Sequence, residues 1–310
     1  FALIGAAGYI APRHMKAIRE TGNLLIAALD PMDSVGIIDS FFPNADFFIE
    51  PERFDRHMDK LRRSGSNKVD YVSICSPNYL HDAHIRMALR NDADAICEKP
   101  LVLNPWNLDG LLEIEKETGK KIYNILQLRH HSSIIDLKKK IDNLPKDLIH
   151  DIDLTYITSR GKWYHYSWKG EISKSGGVVT NIGIHFFDML GWIFGDLISN
   201  SLHQLKPDKA SGLLQLKNAN VRWHLSIDKN ELPMVAIDNN QTTYRSITVD
   251  GEEFEFSGGF TDLHTESYKN ILDGNGFGME DARNSIEIAH LIRNQKLTTN
   301  PTESHPFFKK

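Results

Sequence analysis

Phe1-Ala2-Leu3-Ile4-Gly5-Ala6-Ala7-Gly8-Tyr9-Ile10-Ala11 opens the chain, and Pro12 to Thr21 then reads as a helix. An apolar strand, a glycine-bearing turn and a helix, in that order, form the place where a dinucleotide-binding domain seats a pyrophosphate. Glycine permits the tight turn and close backbone approach, and the helix N-terminus offers N–H groups at the positive end of its dipole. The match to G-x-G-x-x-G is imperfect, because Ala7 holds the second glycine position and Ile10 the third. Reading Gly8-Tyr9-Ile10-Ala11 as the second half, displaced by one residue from Gly5, restores the pattern. Alone, the turn reads equally as an ordinary strand–helix connection; Asp30 supplies the context. It follows the next apolar run, Leu24 to Leu29, where a carboxylate can accept hydrogen bonds from adenosine ribose hydroxyls and would repel a 2′-phosphate. No Lys or Arg occurs from Glu20 through Glu52, so NAD is expected over NADP. The competing reading of Asp30 is the start of a turn before Pro31.

Outward from this unit, Asp46 to Ile49, Val69 to Cys75, Ala93 to Cys97 and Lys121 to Leu126 read as strands. They alternate with helices over Pro51 to Arg63, Asn78 to Arg90 and Pro105 to Thr118, the last stopped by Gly119. Such alternation argues for an α/β Rossmann domain, a parallel sheet with helices on both faces. Ser76-Pro77-Asn78 and Glu98-Lys99-Pro100 follow the fourth and fifth strands, at the carboxyl ends that line the ligand crevice of such sheets. Cys75 and Cys97 flank these turns and read as small buried packing residues. The second half gathers strands at Ile149 to Thr158, Gly212 to Lys217, Asn220 to Asp228, Thr242 to Asp250 and Glu252 to Phe256. Helices are expected over Asn181 to Phe194, His264 to Leu272 and Glu280 to Asn294. This predicts an α+β domain with a large, mostly antiparallel, open-faced sheet. The expected division is 1–124 and 125–310. Lys138-Lys139-Lys140 reads as a solvated helix face.

Composition bounds the function. With 310 residues, 41% hydrophobic and 25% charged, the chain has ordinary globular usage rather than that of a disordered, collagenous or coiled-coil protein. The net charge of −5 is wrong for a general nucleic-acid binder, so any anionic ligand must be held by a local basic site. No apolar run approaches the roughly 18 residues of a membrane span. Gly183 to Phe194 is the nearest, and it is short and carries His185 and Asp188. Two cysteines exclude a disulfide framework. Phe1 stands where a Met would start a chain, so a few leading residues are expected before it; with no signal-peptide pattern, a cytoplasmic protein is expected. The 14 histidines form no HExxH and meet no paired CxxC, and His130-His131 point apart more readily than they chelate, so no metal is expected.

Five stretches carry a specific resemblance: GAAGYIA at the start, Ser-Pro-Asn-Tyr-Leu-His at 76–81, Glu98-Lys99-Pro100, Gly176-Gly177, and Asn181-x-Gly183-x-His185-x-x-Asp188. In this order and spacing the whole chain resembles the Gfo/Idh/MocA family of sugar and cyclitol oxidoreductases. The resemblance implies a Rossmann domain, a second domain whose open sheet mediates dimers or tetramers, and a nicotinamide facing a substrate pocket. It also implies cofactor contacts from Gly5, Ala7, Gly8, Tyr9, Ile10, Asp30, Ser76, Pro77, Asn78, His81, Glu98, Lys99 and Pro100. The Lys-Pro bond is often cis in the family. Gln127 fits a family position near the nicotinamide, and Trp168-Lys169 a Trp-Arg pair that approaches the cofactor, with Lys giving point charge but no bidentate phosphate grip. GAAGYIAPRHMKAI and the stretches RGKWYHYSWKGE and SGGVVTNIGIHFFDML are similar to the UDP-N-acetyl-2-amino-2-deoxyglucuronate dehydrogenases of bacterial surface-polysaccharide (O-antigen) synthesis. Those enzymes oxidise the sugar C3 hydroxyl with NAD, and some regenerate NAD by reducing 2-oxoglutarate.

Oxidising a secondary alcohol needs a base near neutral pKa, and His185 is the first choice. Lys99 is the second participant, as a cation on the substrate oxygen or as a proton relay. Asn181 stands where many family members carry Asp; an amide orients a hydroxyl but is no base, which puts more weight on His185. On one predicted helix, Asn181 and His185 share a face. Gly176-Gly177 lets the chain pass close to the cofactor before that helix. Asp188 can orient the imidazole or simply pack. A nucleotide-sugar uronate carries a diphosphate and a carboxylate, for which Arg129, Arg160, Lys162, Tyr164 and His165 are the candidate donors, Arg160 first; a neighbouring subunit is a further source. Two rivals stand beside this reading. One is a dehydrogenase of an unactivated sugar or inositol, which needs fewer anion donors. The other is a non-catalytic dinucleotide-binding regulator, against which the pairing of Lys99 with His185 argues.

Overall fold

The structure is a computed structural model that describes residues 1–33, 35–65, 68–254 and 262–309. The chain forms two compact units: Phe1–His130 with Thr261–Arg283, and His131–Phe260 with Asn284–Lys310. The expected linear division at 124/125 therefore differs from the observed grouping. The helix Leu263–Leu272 lies late in sequence, yet its Tyr268 and Ile271 belong to the same buried cluster as Phe1, Leu3, Met15 and Ile18.

In the first unit, β1 (Ala2–Ile4), β2 (Ala27–Leu29), β3 (Asp46–Phe48), β4 (Tyr71–Ile74), β5 (Asp94–Cys97) and β6 (Ile122–Asn124) form one parallel sheet in the order β3-β2-β1-β4-β5-β6. β1 and β2 are buried along their whole length, which is why they read as unbroken apolar runs rather than alternating ones. Helices Pro51–Ser64 and Pro105–Thr118 each start with proline in the first turn and stop at a glycine, Gly65 (φ 68°) and Gly119 (φ 67°), in the left-handed region. The order reverses between β1 and β4, so the segments after β1, β4 and β5 meet at the switch point where such sheets bind ligands.

In the second unit, β7 (His150–Thr158), β8 (Leu197–Leu205), β9 (Lys209–Leu216), β10 (Ala219–Ser226), β11 (Thr243–Val249) and β12 (Glu252–Glu253) form a sheet ordered β12-β11-β7-β10-β9-β8. Only β7 and β10 pair in parallel; every other neighbour is antiparallel. β8 is an edge strand with two register shifts, and its mixed polar sequence gave no strand signal. The end of the expected strand Glu252 to Phe256 lies outside the described residues. Helix Ile184–Phe194 packs on the sheet through Phe187, whose ring lies 5.5 Å edge-on to the buried Trp223. Among the described residues, no single helix is long and apolar enough to cross a membrane.

Candidate active site

Gly5 fixes the first turn. Its φ is +88°, and a Cβ there would lie 2.6 Å from the Cys75 carbonyl carbon and 2.7 Å from both Cys75 O and Ser76 N. The Gly5 N–H donates to Leu29 O (2.8 Å) and the Gly8 N–H to Gly5 O (3.0 Å). Ala7, by contrast, is exposed, so its methyl at the second glycine position meets no crowding from the protein itself. Tyr9 is also exposed, Ile10 is half-buried, and no side chain caps the N-terminus of helix Ala11–Glu20. Asp30 is buried and anchors this turn: Oδ2 accepts the Ala7 N–H (2.9 Å) and Oδ1 the Met32 N–H (2.9 Å). Each carboxylate oxygen has a further lone pair for a ligand hydroxyl. Both readings of Asp30, ribose acceptor and turn former before Pro31, are thus compatible in one side chain. Asp30→Ala is expected to raise the NAD Kd roughly ten- to a hundredfold, the scale of one or two charge-assisted hydrogen bonds. Sugar affinity should be unchanged. Titrating each ligand separately checks this; equal weakening of both would mean a folding defect.

After β4 and β5, Ser76, Asn78, Glu98 and Pro100 are buried, and Pro77 and Lys99 half-buried. The Lys99–Pro100 bond is cis. Glu98 stands at the centre of an internal network. Its Oε1 accepts from His14 Nε2 (3.0 Å) and His264 Nε2 (2.9 Å), and its Oε2 from the Lys99 backbone N–H (3.2 Å). His14 then has a bare Nδ1, which accepts from the Tyr268 hydroxyl at 2.8 Å; Tyr268 in turn meets Ser73 Oγ. Burial raises the pKa of Glu98, but the two imidazole donors outweigh it and hold the carboxyl well below its usual range. Burial lowers His14 and pushes the Tyr268 phenol well up, so both serve as neutral partners. Glu98, expected as a cofactor contact, has backbone and imidazole partners within the protein. His14, Ser73, His264 and Tyr268 escaped the sequence reading. The signal for them was Glu98 itself, since a carboxylate between buried Cys97 and buried Pro100 requires donors. One ligand-type atom each from His14, Glu98 and His264 lies within 4.8 Å of the others, a metal-ligand set in kind, with these atoms already paired among themselves. Burial likewise pushes the Cys75 and Cys97 thiols well up.

Gln127 opens a short 3₁₀ turn, Gln127–His130, after β6. Arg129, expected as an anion donor, is buried: it donates to Asp281 Oδ1 (3.1 Å) and Asp281 O (2.8 Å) and lies over the Phe277 ring at 4.9 Å. That makes it an internal strut of the first unit.

In the second unit, Arg160, Lys162 and His165 are exposed and Tyr164 is buried, within the stretch that follows β7. Trp168 and Lys169 form a short turn, with Lys169 Nζ 5.2 Å from the Trp163 ring centre and 5.6 Å from that of Trp168. Burial, with Arg160 nearby, lowers the Lys169 pKa. Gly176 (φ 78°) and Gly177 (φ 69°) are both left-handed and turn the chain between helices Ile172–Ser175 and Gly177–Asn181. The expected continuous helix Asn181 to Phe194 is broken. Asn181 ends one helix, His185 lies in the first turn of the next, and the two segments bend by 46°. The shared-face argument therefore fails, because it assumed one helical repeat. A Cβ at Gly183, in the break, would lie 2.4 Å from Val179 O and 2.8 Å from Leu225 Cδ1. Asn181 Nδ2 donates to Tyr164 Oη at 2.8 Å, which unites two of the expected substrate residues. Burial raises the Tyr164 pKa against the Asn181 bond and the nearby Arg160 charge. His185 is half-buried and Asp188 buried on the same helix.

Comparison with known proteins gives the family. The family model for the oxidoreductase family with an NAD-binding Rossmann fold matches residues 1–125, and that for its C-terminal alpha/beta domain matches 148–227. The chain belongs to the Gfo/Idh/MocA family. Among solved Gfo/Idh/MocA-like structures, the WlbA (WbpB) dehydrogenase from Thermus thermophilus, in complex with NAD and α-ketoglutarate, is 52% identical, with TM-score 0.96 and 99% of each chain covered. The complex of the Thermus thermophilus WlbA (WbpB) dehydrogenase with NAD and UDP-GlcNAcA gives 51%, 0.95 and 99% of each chain. D-glucoside 3-dehydrogenase of Escherichia coli (strain K12) is 27% identical over 132 residues, 41% of this chain and 36% of that protein. The chain spans about a third to just over half the length of the curated relatives it matches. As a Gfo/Idh/MocA chain, it carries its NAD-binding domain in the first unit.

Proposed function

We propose that this chain oxidises the C3 hydroxyl of UDP-N-acetylglucosaminuronic acid to a ketone with NAD, and regenerates NAD by reducing 2-oxoglutarate to 2-hydroxyglutarate. The observation that carries the proposal is full-length similarity, above 50% identity, to a dehydrogenase crystallised with NAD together with each of these two compounds. The first unit suits a dinucleotide: a glycine where a Cβ would strike backbone, a helix N-terminus without a side-chain cap, and a buried Asp30 with lone pairs to spare. When bound, NAD supplies the hydride acceptor.

In this reading the Gly5-Ala6-Ala7-Gly8-Tyr9-Ile10 turn, Asp30, Ser76, Pro77, Asn78, Pro100, Gln127, Trp168 and Lys169 border the cofactor. His185 takes the hydroxyl proton, and Lys99 hydrogen-bonds the substrate oxygen and stabilises the developing alkoxide. Asn181, held by Tyr164, orients the hydroxyl. Arg160, Lys162 and His165 meet the diphosphate and carboxylate. The same reading makes the protein a homo-oligomer, a dimer or tetramer, and places it in the cytoplasm; its two buried free thiols suit a reducing compartment.

Incubation with NAD, the nucleotide sugar and 2-oxoglutarate, followed by mass spectrometry, tests the proposal. A sugar lighter by about two mass units, together with 2-hydroxyglutarate, is expected, since oxidation removes two hydrogens and the second substrate receives them. The lighter sugar without 2-hydroxyglutarate removes the recycling. Neither product, from protein that binds NAD, overturns the substrate.

A further inference from the structure

His81 opens helix His81–Arg90 and is 1% exposed. Its Nδ1 lies 2.7 Å from Pro100 O, and its Nε2 lies 2.8 Å from Ser76 O. Both partners are backbone carbonyls, which accept and never donate. A neutral imidazole has one N–H and one bare nitrogen. Whichever tautomer it took, one lone pair would face a carbonyl lone pair at hydrogen-bond distance, inside the protein. Turning the ring over would set carbons rather than nitrogens against both carbonyls and lose both hydrogen bonds. The imidazolium, with two N–H donors, is the state that satisfies both.

We propose that His81 is a buried imidazolium that clamps the Ser76-Pro77-Asn78 turn to the Glu98-Lys99-Pro100 turn. It is a positioning residue: both ring nitrogens are spent on backbone, and it acts on the ligand through the two turns it joins. The significance of the clamp rests on the reading that these turns border NAD. The titratable groups that act on His81 are Glu98 and Lys99 from the neighbouring turn and His84 from its own helix. Burial lowers the His81 pKa, while the two carbonyls and the Glu98 carboxylate favour the cation and Lys99 opposes it. Geometry decides between them, since relieving burial by losing the proton would leave two acceptors face to face. Glu98 is the nearby anion, fixed as a carboxylate by the imidazoles of His14 and His264. His84 is the contrasting case: burial, with His81 adding to it, lowers its pKa to about 4, and its Nδ1 meets Ser76 Oγ, a hydroxyl that can donate.

Nitrogen-15 NMR of ring-labelled histidine in the full chain, without sugar, tests the proposal. His81 should show both ring nitrogens protonated at neutral pH, where an ordinary histidine, with pKa near 6.5, is mostly neutral. Both N–H protons should exchange slowly. One protonated and one bare nitrogen at neutral pH overturns the proposal. The result is independent of activity, so a protein that turned over no nucleotide sugar would still return it. His81→Gln, which can donate to one carbonyl but not span both, should raise the NAD Kd roughly tenfold, the scale of one lost hydrogen bond. Unchanged NAD affinity in a folded His81→Gln protein removes the clamp. If that variant does not fold, the wild-type spectrum, assigned by correlation to the His81 backbone, still decides.

Discussion

Lys99→Ala should lower turnover by roughly two to four orders of magnitude, the range of general acid–base assistance. NAD affinity and stability should change little. The argument rests on how the turn is held. Glu98 grips the Lys99 backbone N–H, and Pro100 O accepts from His81. Neither bond uses the Lys99 side chain, so alanine removes the ammonium and leaves the backbone in place. His185→Ala should fall in the same range, because it removes the proposed proton acceptor from a helix whose packing relies on Phe187 and its neighbours. Single-turnover rates at saturating NAD and sugar check both. A variant that keeps the wild-type rate is not in the mechanism.

Gly5→Ala should abolish NAD binding and destabilise the first unit by roughly 3 kcal/mol or more, from an unfavourable backbone conformation together with overpacking against backbone that cannot rotate away. The added methyl would meet Cys75 and Ser76 main-chain atoms at 2.6 to 2.7 Å. That is the junction of β1 and β4, where Cys75 N–H donates to Ile4 O. Gly22→Ala is the control. Gly22 has φ +75°, but an added methyl there would meet nothing within 4 Å, so only the conformational cost remains, about 1–2 kcal/mol. Denaturant midpoints and NAD titrations of the pair separate strain from collision. Equal destabilisation by both would show that the collision is relieved.

The first sheet was legible because strands buried on both faces are continuous apolar runs, and the turns after β1, β4 and β5 carry glycine and proline at fixed places. What was not legible depended on partners distant in sequence. Ile182 and Gly183 look like ordinary helix interior until Leu225 and Phe187 close on Gly183. β8 owes its pairing to β9 rather than to its own alternation. Arg129 looked like an open anion donor, and only the fold supplies Asp281. The candidate cofactor and catalytic residues came from local motifs. The donors behind Glu98 could not, since His14 and His264 are separated from it by 84 and 166 positions.

The late return of Leu263–Leu272 to the first unit bears on how the chain is made. A ribosome releases β1 to β6 long before it releases His264 and Tyr268. Until then Glu98 has one of its two imidazole donors, His14 lacks its phenol, and the ring of Phe1 lacks its stack on Tyr268 at 5.8 Å. The amino-terminal unit is thus translated early but completed late. A fragment cut at His130 would hold its buried carboxylate with one of two imidazole donors gone, and is expected to be less stable than the completed unit.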